Sequence, residues 1–297
     1  ITDPISQKVK SQYEENPYPR WKSENTSETS KSTAILSINN EIKPNSINYN
    51  LQPNPLKILI AGCGTGMQIL QAQKYKNAQI TAIDVSLSSL SFAQRKVNEL
   101  DIKNVKLIQM DILEVALLKE NFDIIVCCGV LHHMADPEQG LKALLEILNT
   151  NGFMRLSLYS ELSRQTVVKA REYIKANHIK PNIDGLRNLR QDILSGQCPE
   201  LYALTSPNTD FYTTSNFRDL CFHYQEHHFT FKQLEDILVS NKLEFLGFFL
   251  PAQTKYLFKK YFPEDKIQTN LKNWGELERK YPGIFGGTPA FWVSKGE

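Results

Sequence analysis

The stretch Lys57-Ile58-Leu59-Ile60-Ala61-Gly62-Cys63-Gly64-Thr65-Gly66-Met67 decides how the rest of the chain is read. Its first five residues, mostly apolar, predict a buried strand. A glycine turn follows, then a helix from about Met67 to Tyr75. Glycine suits such a turn because it adopts dihedrals closed to other residues and lets backbone come close to a ligand. The helix start aims unpaired N–H groups at whatever lies over the turn. Strand, glycine turn and helix open a doubly wound nucleotide-binding sheet. The dinucleotide fingerprint is G-x-G-x-x-G, with room for a pyrophosphate on the helix end. Here the array is G-x-G-x-G, one residue tighter, which disfavours a nicotinamide dinucleotide and the oxidoreductase chemistry that goes with it.

Working outward, Gln79 to Ser86 reads as a second strand ending in Asp84. An acid some 20 residues past the turn is where such folds bind ribose hydroxyls. Ser86 is placed to cap a helix from Leu87 to about Leu100. A third strand, Val105 to Met110, ends at Asp111-Ile112. The fourth, Phe122 to Cys128, is an apolar run suited to burial on both faces. It feeds Gly129-Val130-Leu131-His132-His133-Met134, a loop at the carboxyl end of a parallel strand, where ligands of open sheets bind. Neighbours on an extended segment point opposite ways, so His132 is assigned to the site and His133 is its packed or solvated neighbour. Asp136-Pro137 starts a helix to about Leu148, and Phe153 to Tyr159 is the fifth strand. The regular alternation, with two further strands expected at Leu243 to Leu250 and Ala290 to Val293, predicts an α/β fold: a doubly wound, seven-stranded, mostly parallel sheet.

The tight glycine turn, Asp84, Asp111 and the Val130-Leu131-His132-His133 loop, in register, resemble the class I S-adenosylmethionine (SAM) methyltransferases. The resemblance implies SAM as cofactor, held by Gly62, Cys63, Gly64, Gly66 and Gly129, with Asp84 and Val85 at the ribose and Asp111 and Ile112 at the adenine. A second resemblance covers nearly the full length. Tyr13-Glu14-Glu15-Asn16-Pro17-Tyr18-Pro19-Arg20-Trp21 is similar to the segment ahead of the SAM domain in a bacterial group often fused behind tetratricopeptide repeats. Bacterial outer-membrane-protein lysine methyltransferases are similar too, and the likeness runs on through Ser157-Leu158-Tyr159-Ser160-Glu161 and Phe222-His223-Tyr224-Gln225-Glu226-His227. It implies a repeat region ahead of Ile1 and favours a protein lysine as acceptor. A small-molecule O-, N- or C-acceptor is the alternative, and a SAM-binding interaction module without turnover is the alternative class.

Four regions are expected: an arm and connection (1–54), the SAM-binding core (55–160), an acceptor-recognition insertion (161–242) and closing strands (243–297). The arm opens with a short helix over residues 5–14, stopped by Pro17 and Pro19, since proline pushes the preceding residue out of helical geometry. Folded over the cleft, it would bring Tyr13, Tyr18 and Trp21 to the sulfonium as cation–π partners. Residues 22–54 read as a surface connection without chemistry. The insertion carries helices over 160–177 and 183–194, then Asp210-Phe211-Tyr212 and His223-Tyr224-Gln225-Glu226-His227-His228. His132 is the expected base for an oxygen nucleophile at neutral pH. Asp210, Glu226 and His227 are the further candidates for orienting an amine or handling its proton. The histidine-rich run does not match H-E-x-x-H and no cysteine pair joins it, so no metal is expected.

Composition narrows the rest. At 297 residues the chain buries a full core with room for an insertion. A net charge of +2 makes no case for nucleic acid. Five cysteines with no C-x-x-C pair suit reduced thiols in the cytoplasm. No apolar run approaches the ~18 residues of a membrane span, and no signal peptide is visible. The chain begins at Ile1 rather than Met, which fits a piece of something longer.

Overall fold

The computed structural model describes residues 1–19, 21, 31–49, 51, 53–206, 210–285 and 287–295. Residues 22–30 of the expected surface connection, and 207–209 of the loop before Asp210, lie outside the described residues. The chain runs α1 (Pro4–Glu15), α2 (Ala34–Ile42), β1 (Leu56–Ala61), α3 (Met67–Ala72), β2 (Ala78–Asp84), α4 (Leu87–Glu99), β3 (Val105–Gln109), β4 (Phe122–Cys128), α5 (Pro137–Glu146) and β5 (Leu148–Ser157). It continues through α6 (Gln165–Ala176), α7 (Ile183–Leu194), α8 (Thr214–Phe222), α9 (Phe231–Ser240), β6 (Leu243–Phe249), α10 (Ala252–Tyr261), α11 (Leu271–Lys280) and β7 (Ala290–Lys295).

Seven strands form one sheet in the order β3-β2-β1-β4-β5-β7-β6. β1 to β5 pair in parallel, and β7 enters antiparallel between β5 and β6. This is the doubly wound, mostly parallel sheet that the alternation predicts. The strand order reverses between β1 and β4, so their carboxyl ends frame a crevice, and Gly62 and Gly129 sit at its two lips. Strand residues alternate between two apolar layers: Leu59, Ile125, Cys127 and Leu156 lie in one, Ile58, Ile60, Ile124 and Trp292 in the other.

Two regions depart from the expectation. Residues 34–42 are a helix, not surface connection: Thr33 caps it, and Ala34, Ile38 and Ile42 are buried against the sheet. Its Glu41 accepts the Trp292 indole N–H at 2.8 Å. The insertion has its own apolar core, from Val167 and Ala170 through Leu189 and Ile193 to Phe217 and Cys221. The last helix of the insertion, α9, turns Leu234 and Leu238 into the sheet's layer instead.

Candidate active site

The glycine turn is shaped by its own chain. Gly62, Gly64 and Gly66 have φ of +76°, +50° and +95°, the left-handed region that disfavours a side chain. A Cβ on Gly62 would sit 2.4 Å from Val130 Cγ2, and one on Gly64 would sit 2.6 Å from the Tyr18 carbonyl oxygen. The close approach required at these two positions is therefore to protein. Gly129 differs: its φ is +79°, yet a Cβ there would meet nothing within 4 Å, so open space lies over it. α3 ends at Ala72, short of the predicted Tyr75.

A cavity of about 390 Å³ opens above these strand ends, within the usual size range of small-ligand sites. Gly62, Cys63, Gly64, Asp84, Val85, Asp111, Ile112 and Gly129 all line it, as do Tyr13 and Tyr18. Gly66 does not; it holds the turn against Ala93 of α4. Asp84 accepts the Gly64 N–H at 2.8 Å and the Ser86 N–H at 2.9 Å. Burial pushes its carboxyl up to about 6, against those bonds, which favour the charged form. A carboxylate has about four lone-pair sites, so Asp84 still has capacity for two hydroxyls. Asp111 accepts the Leu113 N–H at 3.0 Å through Oδ1. Its Oδ2 is buried with no partner among the described residues. An orphaned buried acceptor is costly unless something supplies a donor. The residues present thus fit SAM: an unpaired acceptor for the adenine amine, a carboxylate with spare lone pairs for the ribose, and room over Gly129.

The arm lies over the cavity. Ser6, Val9 and Tyr13, one face of α1, line it. Glu14 fastens the helix to the core by accepting the Leu87 and Ser88 N–H groups at 2.8 and 3.0 Å, where the start of α4 favours a negative charge. Glu15 pairs with Arg218 at 2.5 Å and Gln12 accepts the Tyr224 N–H at 3.0 Å, both in the insertion. Trp21 is a correction: it lies outside the lining, gives its indole N–H to Thr65 at 3.1 Å and packs edge-on to Phe92. Tyr18 meets the cavity wall and donates to Asp210 at 2.9 Å.

The two histidines exchange the places assigned to them. Val130 to Met134 is not extended; Leu131–His133 is one turn of 3-10 helix, so side-chain directions do not alternate. His133 lines the cavity, and its Nδ1 is 2.7 Å from the Gln225 carbonyl oxygen. Burial lowers its imidazole to about 4. His132 is fully buried, its ring 3.7 Å from that of Tyr159, with neither nitrogen bonded among the described residues. Burial, then the neighbouring His133 and Arg164, keep it well below the usual histidine range.

The other proposed proton carriers are also occupied. Glu226 holds Arg164 at 2.6 Å, Arg171 at 3.4 Å and His228 at 2.8 Å, with 1% of its side chain exposed. Burial works to raise its carboxyl, but the His228 and Arg164 contacts outweigh it and bring it down to about 2. His227 sits with Nε2 3.0 Å from the Met134 carbonyl oxygen, bracing the histidine loop. Asp210 is bonded by Tyr18 and by Asn216, the latter at 2.9 Å. None of the three lines the cavity. Among the described residues no group of His, Cys, Asp or Glu is arranged to hold a metal ion.

The residue the sequence reading missed is Asp219. It is buried on α8, lines the cavity and accepts the Tyr13 hydroxyl at 2.8 Å. Burial, reinforced by the nearby Asp210 carboxylate and opposed by the Tyr13 hydrogen bond, lifts it to about 7. No motif marks it. The available signal was an acid among Phe217, Leu220 and Cys221, on helix positions that pack inward. Tyr159 also lines the cavity, as does Arg155, whose Nε lies 3.4 Å from Glu41.

Comparison with known proteins agrees with this geometry. The profile of a family described as a methyltransferase domain matches residues 54–211, and the chain belongs to that family. An uncharacterized Synechococcus protein is 33% identical over 202 residues, covering 65% of this chain and 48% of that protein. The ubiquinone biosynthesis O-methyltransferase of Histophilus somni is 28% identical over 144 residues, 45% of this chain and 60% of that one. The solved structure of PKMT2 from Rickettsia typhi shares the fold with a TM-score of 0.62 at 18% identity, covering 87% of this chain and 51% of that one. It has also been solved in complex with AdoHcy, with a TM-score of 0.59, 20% identity and coverage of 81% and 49%. The chain spans about half the length of the first of these relatives and of PKMT2.

Proposed function

We propose that this chain binds SAM and transfers its methyl group to a nucleophile, with a protein lysine amine the favoured acceptor. The observation that carries the methyltransferase reading is the buried Oδ2 of Asp111, without a partner among the described residues, in one cavity with Asp84 and the open face of Gly129. When bound, the sulfonium supplies a methyl group already activated for displacement. Asp111 and the Ile112 side chain would hold the adenine, and Asp84 the ribose. Gln68 gives its amide to the Cys128 carbonyl at 3.1 Å while its Oε1 is buried with no partner among the described residues, so it would serve the methionyl ammonium. The α1 face would keep water from the reacting centre.

An amine acceptor is supported by the wall formed by Tyr13, Tyr18, Tyr159 and Asp219, three rings and a carboxylate, a setting that favours a cation. Resemblance to outer-membrane-protein lysine methyltransferases supports a protein as its carrier. A preceding tetratricopeptide region and a bacterial cytoplasmic setting belong to the same proposal. The test is incubation with methyl-labelled SAM and a bacterial lysate. Label recovered as methyl-lysine after acid hydrolysis of protein is expected. Label in small solutes would replace the protein acceptor with a metabolite, and SAM binding without any release of S-adenosylhomocysteine would leave a binding module.

A further inference from the structure

The acids lining the cavity divide by position. Asp84 ends β2 and Asp111 follows β3, on the cofactor half of the sheet. Asp219 comes from the insertion and stands with Tyr159, which follows β5, on the other half. It is 5% exposed. Its Oδ1 takes the Tyr13 hydroxyl, and its Oδ2 has no hydrogen bond among the described residues.

His223 Nδ1 accepts the Gln225 N–H at 3.2 Å, so in the neutral ring the proton sits on Nε2. That Nε2 lies 3.1 Å from the Tyr13 hydroxyl oxygen and donates to it. Tyr13 must then donate onward, at 2.8 Å, to Asp219. His223 stays neutral because burial and the stacked His133, 3.6 Å away, keep it well below the usual histidine range. The chain Gln225 to His223 to Tyr13 to Asp219 runs one way and leaves the far carboxylate oxygen as the open acceptor.

We infer that Asp219 anchors the acceptor's ammonium and takes its proton, and that Tyr13 of the arm is the positioning residue that aims it. This rests on the amine reading above. One N–H proton passes to Asp219 Oδ2. The freed nitrogen lone pair forms the N–C bond as the C–S bond breaks, its pair staying on sulfur, and the proton on Asp219 leaves to water. His133 is a poorer base, since burial holds it near 4. The charged or titratable groups facing Asp219 are Tyr13 from α1, Tyr18 and Asp210, Tyr159 after β5, Arg164 ahead of α6, and Glu226.

The experiment titrates the S-adenosylhomocysteine-loaded protein with n-butylammonium chloride and with n-pentanol, followed by NMR. The wild type is expected to prefer the ammonium, with binding rising as pH rises through about 7 while Asp219 ionises. Asp219→Asn is expected to weaken ammonium binding at least ~10-fold, the scale of one charged hydrogen bond, with pentanol binding unchanged. Tyr13→Phe removes a bond that holds the carboxyl down, so the pH midpoint moves upward. Ammonium preference retained in Asp219→Asn, absent in the wild type, or insensitive to pH would overturn the inference. Affinity for S-adenosylhomocysteine itself, measured first in each variant, separates these results from failure of the SAM reading or of folding.

Discussion

The two walls of the cavity are built differently. The cofactor wall comes from one continuous run of chain, Gly62 to Gly129, at the ends of adjacent parallel strands. Its groups are left unfinished: among the described residues Asp111 Oδ2 has no partner and nothing lies over Gly129. The proposed acceptor wall joins Tyr13 to Asp219, 206 residues apart, and its polar groups bond one another in a chain that, among the described residues, leaves only Asp219 Oδ2 open. Sheet topology sets the first wall. The second exists only while arm, histidine loop and insertion are docked together. Changes far from the cavity should therefore damage the acceptor wall and spare the cofactor wall.

The largest effect is expected at Glu226. Glu226→Ala strands the buried Arg164 and deprives the half-buried Arg171 of its partner, a loss of roughly 3–5 kcal/mol. Thermal denaturation would show the drop. Below the transition, S-adenosylhomocysteine affinity should stay within ~3-fold of wild type, since Glu226 touches no part of the cofactor wall. The pH sign is fixed by a folded value near 2, below the ordinary carboxylate value. Its stabilisation is complete above that ordinary value and is lost as pH falls through about 2. The gap between wild type and variant should close in that acid limb. A gap that stays constant would mean Glu226 is not ionised in the fold.

Next come the cofactor acids. Asp111→Ala and Asp84→Ala should each weaken S-adenosylhomocysteine binding by about 10- to 100-fold, the scale of hydrogen bonds to a charged group. Melting temperature should move far less than for Glu226→Ala. Because burial lifts Asp84 to about 6, wild-type affinity should fall as pH drops through 6, and Asp84→Asn should flatten that limb. Calorimetric titration across pH reads both.

The cofactor wall was legible because its signals are local. An apolar strand, a glycine turn and an acid at the next strand end repeat within short windows, and a parallel sheet brings all such ends to one edge. Asp84 followed from that register; Asp111 and Ile112 came from the resemblance to SAM methyltransferases, and all three line the cavity. His132 and His133 were exchanged because one turn of 3-10 helix replaced the assumed extended segment. Glu226 looked like a proton carrier because Arg164, 62 residues away, is invisible from its own neighbourhood. α2 was hidden by the Ser, Thr and Asn around it, although Ala34, Ile38 and Ile42 keep helical spacing. Asp219 carries no motif at all; only docking of α1 against α8 gives it meaning.

A smaller effect separates the arm from both walls. Glu14→Ala removes the acceptor for the first N–H groups of α4, worth about 1 kcal/mol as helix caps go. Hydrogen exchange along α1 should speed up. Asp219-dependent binding of butylammonium should weaken in parallel, because Tyr13 is carried on the same helix. Faster exchange with unchanged butylammonium binding would mean the arm is not what aims Asp219.

The smallest expected effect is the sharpest test of which aromatics meet the sulfonium. Tyr13 and Tyr18 line the cavity; Trp21, three residues past Tyr18 and in neither wall, is tied to Thr65 and Phe92. SAM is charged at sulfur and S-adenosylhomocysteine is not, so their affinity ratio isolates cation–π attraction from every other contact. A ring at the sulfonium contributes about 0.5–2 kcal/mol, or roughly 2- to 30-fold in that ratio. Trp21→Leu should leave the ratio unchanged while lowering stability through the lost Phe92 packing. Tyr18→Leu should lower it. A fall in the ratio for Trp21→Leu would place its ring over the cofactor and return the whole proline-bracketed segment to the cofactor wall.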